Sequence, residues 1–326
     1  MDKIALANDT QRRAIFNDVA VKANIRPYIV EKDFWVSWAL GKIFANEELS
    51  QILCFKGGTS LSKAFHLIER FSEDIDLILS LKTVLREGEN LKQASNTKQA
   101  AFNDMIEERA GEYITTILKN KINKVLAPVC EVKTNEDDFH ILHIVFPRVF
   151  DYAYIQPEIK LEIGPLALWN PNDKFSLSSF VGEYLPELKL TEPVVPTIKP
   201  ERTFWEKITI LHHEHYRPEG SLISSRYSRH YYDIFKMGHT DVKDKAFADL
   251  DLLKEVVDFK KRFYPRGWAK YDEAFPGTMC LIPAKHSQEV LAADYIKMKT
   301  MIYGETPTWE EIMDYITELE KEINNL

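Results

Sequence analysis

The sequence has few cysteines and no long apolar run, and each absence removes a class of protein. Its three cysteines, Cys54, Cys130 and Cys280, are far apart and lack metal-ligand spacing, so we expect reduced, buried thiols rather than a disulfide framework. No segment approaches the ~18 apolar residues that a membrane-spanning helix needs. The first residues, MDKIALANDTQRR, have no apolar core of the kind found in signal peptides. We therefore expect a soluble, cytoplasmic protein with no membrane association.

An excess of basic charge is also missing, because 42 Lys and Arg residues face 50 Asp and Glu residues and give a net charge of -8. This balance argues against nucleic-acid binding over the whole surface, but it does not exclude a local basic cleft. The hydrophobic fraction of 45% is that of an ordinary globular protein, and 326 residues are enough for two domains, or for one large domain with an accessory lobe.

Hydrophobic periodicity predicts a mixed α and β first part. Apolar runs predict strands at residues 52–55, 74–79, 139–146 and 158–163. Helical spacing predicts helices at residues 10–46, 61–68 (capped by Thr59 or Ser60) and 102–126. The polar segment 87–99 is predicted to be a mobile loop.

The second part of the sequence is predicted to be helical. Pro200 opens one predicted helix that runs to about residue 215, another ends at Gly238, and a Thr308-x-x-Glu311 capping box opens the last. Four prolines between residues 186 and 200 mark the best boundary. We therefore predict an α+β domain over residues 1–195 and an α-helical domain over residues 196–326 that contributes to the active site.

Chemical information is concentrated in residues 55–79, FKGGTSLSKAFHLIERFSEDIDLIL. Asp74 and Asp76 are two positions apart on a predicted strand, so both carboxylates project from the same face. Two carboxylates this close repel each other unless a cation lies between them. Mg²⁺, or Mn²⁺ in its place, takes oxygen ligands of this kind and commonly completes its shell with substrate phosphates. We therefore predict a metal-dependent catalytic centre at Asp74 and Asp76.

Two further features would complete such a centre. Gly57, Gly58, Thr59 and Ser60 form a predicted strand-to-helix turn, where backbone N–H groups and a hydroxyl can contact phosphate. A third carboxylate, Glu162, lies on the later predicted strand, as candidate metal ligand and activator of the acceptor. Taken alone, an Asp-x-Asp pair is usually a solvated strand edge and a Gly-Gly pair is usually only a turn. Their combination favours a functional site.

The order of strand, GG[ST], helix and DxD is the signature of the DNA polymerase β-like nucleotidyltransferase superfamily. The fuller stretch KGGTSLSKAFHLIERFSEDIDL resembles the AbiEii toxins of type IV toxin–antitoxin and phage-abortive systems, relatives of the MenT toxins. Residues 201–218 (ERTFWEKITILHHEHYRP) and 228–237 (SRHYYDIFKM) resemble the third and fourth motifs of that family. In the second motif the family often has Asp where this sequence has Glu162.

The resemblance implies a polymerase β-like domain, a mixed sheet with flanking helices, followed by a helical domain. It also implies an NTP substrate, an RNA acceptor (the tRNA 3′ end) and a cognate antitoxin, with or without direct binding. Two alternatives stay open: transfer of the nucleotide to a protein side chain, and a non-catalytic nucleotide-binding regulator. Two neighbouring acids count against the regulator, which has little need of them.

Lys207 and Asp233 are the candidate residues of the helical part. Lys207 falls within the apolar stripe of the helix opened by Pro200, so its ammonium either reaches solvent or enters a cleft. The family resemblance implies that Lys207 contacts the triphosphate. Asp233 follows Arg229 by four positions and would form a local ion pair with it, or, as the family resemblance implies, orient Lys207 or Arg229 in the site.

A group of basic side chains around LHHEH has two interpretations. Zinc binding is disfavoured, since adjacent positions on a helix diverge by about 100° and no second ligand cluster is present. A local basic rim that binds a polynucleotide is the preferred interpretation. Its members are His212, His213, His215, Arg217, Arg226, Arg229 and His230.

Overall fold

The computed structural model describes residues 1–72, 74–151 and 158–326. They form two compact units, of which the first comprises Met1–Phe65 and Ser72–Ile198 and the second comprises His66–Phe71 and Lys199–Leu326. The first unit contains a mixed β-sheet with helices, and the second is helical. The α+β fold class predicted from the sequence is therefore confirmed.

The sheet of the first unit has seven strands in the order β3-β4-β5-β2-β1-β7-β6. The strands are β1 (Leu53–Lys56), β2 (Asp74–Leu79), β3 (Glu131–Thr134), β4 (Ile141–Val145), β5 (Ile159–Gly164), β6 (Asn172–Ser176) and β7 (Val194–Ile198). Strand β2 is central, antiparallel to β1 and parallel to β5. The sequence did not predict β3, β6 or β7. Strand β7 lies inside the proline-rich segment, where pairing with β1 and β6 outweighs the local proline signal.

Helices of the first unit begin and end largely at local signals. They are α1 (Asp2–Ala5), α2 (Asp9–Ala23), α3 (Pro27–Ala45), α4 (Glu47–Ile52), α5 (Gly57–Lys63), α6 (Asn96–Tyr113), α7 (Lys119–Leu126) and α8 (Phe180–Tyr184), with a π-helical turn between α6 and α7. The helix predicted at 10–46 is interrupted at Asn24, which adopts a left-handed conformation with φ of 55°. The end of the segment predicted as a mobile loop is helical, because the Ser95 side chain caps α6.

The second unit contains six further helices. They are α9 (Pro200–His215), α10 (Arg229–Gly238), α11 (Asp241–Phe247), α12 (Leu250–Phe263), α13 (Lys285–Met298) and α14 (Trp309–Asn324). The predicted helix start at Pro200 and the Thr308–Glu311 capping box are both confirmed. Among residues 1–72, 74–151 and 158–326, no helix is long and apolar enough to cross a bilayer.

Candidate active site

Strand β2 carries the two aspartates that the sequence singles out. Asp74 and Asp76 are half-buried, and they alternate with Ile75 and Leu77, which are fully buried. The two acids therefore share one face of a strand whose other face packs into the core. Because β2 lies between β1 and β5, neighbouring strands flank both carboxylates.

The glycine turn lies directly against Asp76. Strand β1 ends at Lys56, which pairs with Asp76, and α5 begins at Gly57. Gly57 has a φ of +84°, and a β-carbon on it would stand 1.9 Å from Asp76 Oδ2. Only a residue without a side chain fits between the turn and this carboxylate.

The predicted helix cap at Thr59 or Ser60 is wrong, whereas their predicted contact with nucleotide stays a prediction. The residue before α5 is Lys56, so neither hydroxyl residue caps the helix, which also ends at Lys63 and does not continue to residue 68. Thr59 Oγ1 donates to the carbonyl of Asp74, and Ser60 Oγ donates to the carbonyl of Gly57 at 2.8 Å. Both side chains are buried, so their hydroxyls hold the turn to β2 and to itself.

A buried ion pair that the sequence did not predict fixes the other end of α5. Lys63 Nζ donates to Asp33 Oδ1 and to Ser37 Oγ, the latter at 2.9 Å. Asp33 Oδ2 accepts the backbone N–H of Phe180 at 2.8 Å. Burial raises the pKa of Asp33, and the neighbouring Lys63 ammonium acts against this rise. The network connects α5 to α3 and α8, and thereby holds the turn in place.

Glu162 lies beside the aspartates, as the strand positions require. In the parallel β2–β5 pairing, Asp76 stands opposite Glu162 and Asp74 stands opposite Lys160. Lys160 Nζ donates to Glu162 Oε1. Burial acts to lower the pKa of Lys160, but its bond to Glu162 and the charge of Asp74 raise it overall. A lysine thus lies next to the acids on this side of β2.

The residues that the structure describes contain no group of three His, Cys, Asp or Glu side chains arranged to hold a metal ion. Asp74 and Asp76 share a strand face, and Glu162, opposite Asp76, accepts a hydrogen bond from Lys160. The three-carboxylate arrangement therefore stays a prediction.

In the second unit, α9 and α10 bring Lys207 and Asp233 together. Lys207 Nζ lies 2.8 Å from Asp233 Oδ2, and His230 Nδ1 lies 3.5 Å from the same ammonium. Lys207 is only 7% exposed, so the alternative in which its ammonium reaches solvent is wrong. Burial lowers the pKa of Lys207, while the charge of Asp233 acts in the opposite direction.

Asp233 has a second cationic partner, Arg70. Its Oδ1 accepts from Arg70 Nε at 2.7 Å and its Oδ2 accepts from Arg70 Nη2 at 2.8 Å. The ion pairs of Asp233 are therefore with Lys207 and Arg70, whereas the sequence suggested Arg229 as a local partner. In the sequence, Arg70 was marked only by its place within residues 55–79, the stretch that carries the family resemblance.

The predicted basic rim is wrong for three of its seven members, which are not at the surface. His212 and His213 in the last turns of α9, and Arg217 just after its end, are buried in the second unit. Arg217 donates two hydrogen bonds of 2.6 Å to Glu214, which is itself fully buried. Burial lowers the pKa of His212 to about 4, so this ring is neutral at pH 7.

Two arginines of the predicted rim, Arg226 and Arg229, are exposed.

The prediction of buried thiols is confirmed for Cys54 and Cys130, which are free and buried, but Cys280 is only half-buried. The Sγ atom of Cys280 lies 3.5 Å from the hydroxyl of Tyr216.

Comparison with protein-family models supports the family resemblance of the motifs. Residues 38–315 match the model of the family described as nucleotidyl transferase AbiEii toxin, type IV TA system. Among solved structures, the nucleotidyltransferase toxin MenT4 from Mycobacterium tuberculosis H37Rv matches at 15% identity, over 92% of this chain and 97% of that chain, with a TM-score of 0.41. No curated protein sequence matches. Since the family model covers most of the chain, the protein belongs to the AbiEii family of NTP-dependent nucleotidyltransferase toxins of type IV toxin–antitoxin systems.

Proposed function

We propose that the protein transfers a nucleoside monophosphate from an NTP to RNA, at the 3′ end of tRNA, in a Mg²⁺- or Mn²⁺-dependent reaction. The observation that carries the proposal is the pair Asp74 and Asp76 on one face of β2, with the Gly57 turn against Asp76. Transfer to the 3′ hydroxyl of tRNA would block translation, which suits a toxin and an abortive response to phage.

The donor set at β2 fits a hard divalent cation. Asp74 and Asp76 would hold the metal, which would neutralise the charge that develops on the transferred phosphate. Glu162 is the proposed third ligand, and this role requires its carboxylate to leave Lys160. Membership of a type IV family implies an antitoxin and an NTP substrate for this chain.

The proposed step is attack of the acceptor hydroxyl on the α-phosphorus of the NTP. A new P–O bond forms, the bond between the α-phosphorus and the bridging oxygen breaks, and pyrophosphate leaves. Glu162 is the candidate base for the proton of the hydroxyl. The backbone N–H groups at Gly57 and Gly58 are proposed to contact the β- and γ-phosphates. For Lys207, the family resemblance supports a contact with the triphosphate.

RNA is the proposed acceptor, and transfer to a protein side chain is the competing possibility. The exposed arginines Arg226 and Arg229 offer charge for a phosphate backbone in an otherwise acidic protein. If they bind RNA, Arg226→Ala together with Arg229→Ala lowers RNA affinity and flattens its salt dependence by about one unit of slope for each lost contact.

The deciding experiment incubates the protein with each α-³²P-labelled NTP, Mg²⁺ and total RNA, and identifies the species that carries label. Label on tRNA that depends on Mg²⁺ and is removed by 3′ nuclease supports the proposal. Label on a protein, with RNA unlabelled, replaces the acceptor. Asp173→Ala, an exposed acid on β6, is the matched control for variants of Asp74 and Asp76.

A further inference from the structure

Asp233 is held by two cations in the second unit. The carboxylate is fully buried, Arg70 is 5% exposed and Lys207 is 7% exposed. Arg70 donates through Nε and Nη2, one bond to each carboxylate oxygen, and Lys207 lies against Oδ2. The two-point contact with Arg70 fixes the plane of the carboxylate, whereas the single contact with Lys207 leaves that plane free to rotate.

The backbone around Arg70 is itself anchored. Arg70 forms an antiparallel bridge with Ile302, and the N–H of Phe71 donates to the carbonyl of Met301 at 2.8 Å. One position earlier, the carboxylate of Glu69 pairs with Lys236 at 2.7 Å. Segment His66–Phe71 belongs to the second unit and is anchored there through its backbone. This anchoring fixes the position from which the Arg70 side chain extends.

Pairing with two cations explains why the Asp233 carboxylate stays ionised in the interior. A buried carboxylate is costly unless it is paired and hydrogen-bonded. Burial acts to raise the pKa of Asp233, but the charges of Arg70 and Lys207 outweigh it and keep the group ionised. Arg70 donates a hydrogen bond to each carboxylate oxygen of Asp233, and these bonds do not involve Lys207.

We propose that Arg70 is a positioning residue, which fixes the carboxylate of Asp233 so that Asp233 in turn aims the Lys207 ammonium at the NTP phosphates. This inference rests on the proposed phosphate contact of Lys207. Arg70 itself does not touch the nucleotide. Without the two-point contact, the carboxylate of Asp233 turns toward Lys207 and draws its ammonium away from phosphate.

The test compares the full-length wild type with Arg70→Lys, Lys207→Met and the double variant. Arg70→Lys keeps the positive charge but cannot form the paired Nε and Nη2 contacts. The probe is each of the four α,β-methylene NTP analogues, titrated directly, so that the result is independent of the acceptor. We expect affinity to fall about tenfold in Arg70→Lys and at least as much in Lys207→Met, as for a charged hydrogen bond.

The double variant is the decisive member of the set. If Arg70 acts through Lys207, the double variant binds no more weakly than Lys207→Met alone. Additive losses would overturn the proposal, because Arg70 would then act on its own. Wild-type affinity in Arg70→Lys would overturn it as well.

Arg217→Lys is the matched control, since Arg217 also makes a buried two-point contact, with Glu214, in the same unit. We expect it to lower the thermal unfolding temperature as Arg70→Lys does, but to leave analogue affinity unchanged. An equal affinity loss in both would reduce Arg70 to a structural role. Should Arg70→Lys not fold, Asp233→Asn provides the second route, with weaker analogue binding expected and wild-type binding contradicting the proposal.

The two levels of the proposal fail in different ways. Unchanged affinity in Lys207→Met removes the phosphate role of Lys207 and, with it, the positioning role of Arg70. A weakened Lys207→Met beside an unaffected Arg70→Lys removes only the role of Arg70.

Discussion

Gly57 lies so close to Asp76 that a β-carbon at position 57 would stand 1.9 Å from Asp76 Oδ2. The same glycine has a φ of +84°, in the left-handed region. Two separate constraints therefore act on one position, and a second glycine allows them to be measured apart. Gly88 has a φ of +83° but no atom within 4 Å of the place where its β-carbon would lie.

We expect Gly57→Ala to abolish nucleotide transfer and to lower stability by more than Gly88→Ala does. Gly88→Ala carries only the conformational cost of about 1–2 kcal/mol, whereas Gly57→Ala also displaces the Asp76 carboxylate. Urea unfolding and label transfer measure the two effects. Equal stability losses, with activity kept in Gly57→Ala, would show that the turn tolerates a side chain beside Asp76.

Asp74→Ala and Asp76→Ala should each reduce transfer by at least about a hundredfold, since the proposed metal depends on both carboxylates. The fold should persist, because the apolar face of β2 is formed by Ile75 and Leu77. Asp173→Ala on β6 should keep full activity. Full activity in either β2 variant, with normal thermal unfolding, would place the active centre elsewhere.

Lys160 competes with a metal for Glu162 if that carboxylate is a ligand. We expect Lys160→Met to bind Mn²⁺ about fivefold more tightly, as for ~1 kcal/mol of competition removed. Titration followed by electron paramagnetic resonance measures the affinity without reference to activity. Lys174→Met, an exposed lysine on β6, controls for the loss of one charge. Unchanged or weaker Mn²⁺ binding would remove Glu162 from the ligand set.

Asp233 should make the free energy of unfolding depend on pH in the acidic range. Burial acts to raise its pKa, but Arg70 and Lys207 outweigh burial, so the folded-state pKa lies below the usual value. A group with a lowered pKa stabilises the fold above its unfolded pKa of about 3.9, and this contribution is lost as pH falls further. Asp233→Asn should therefore cost about 3–5 kcal/mol at neutral pH and progressively less below pH 4. Urea unfolding of both proteins across this range checks the expectation, which a constant difference would contradict.

Signals that act within a few residues made parts of the fold predictable. Alternation of apolar and acidic residues predicted β2 with the bounds that the structure gives it, Asp74–Leu79. Pro200 and the Thr308–Glu311 pair predicted the starts of α9 and α14, since caps are satisfied by neighbouring backbone groups. Residues 55–79 likewise carried the family resemblance, because a pair of aspartates two positions apart and a glycine turn are both local patterns.

By itself, then, the sequence determined the face shared by Asp74 and Asp76, the turn at Gly57 and the helical character of the second half. Tertiary structure alone decided which groups those elements meet. Arg70 and Asp233 are 163 positions apart, and Arg217 is buried by the packing of the second unit although its sequence neighbourhood is polar. Periodicity and capping depend on neighbours along the chain, whereas burial and ion pairing depend on which distant segments pack together. For that reason the predicted basic rim was wrong at His212, His213 and Arg217, and the Arg70–Asp233 pair was missed.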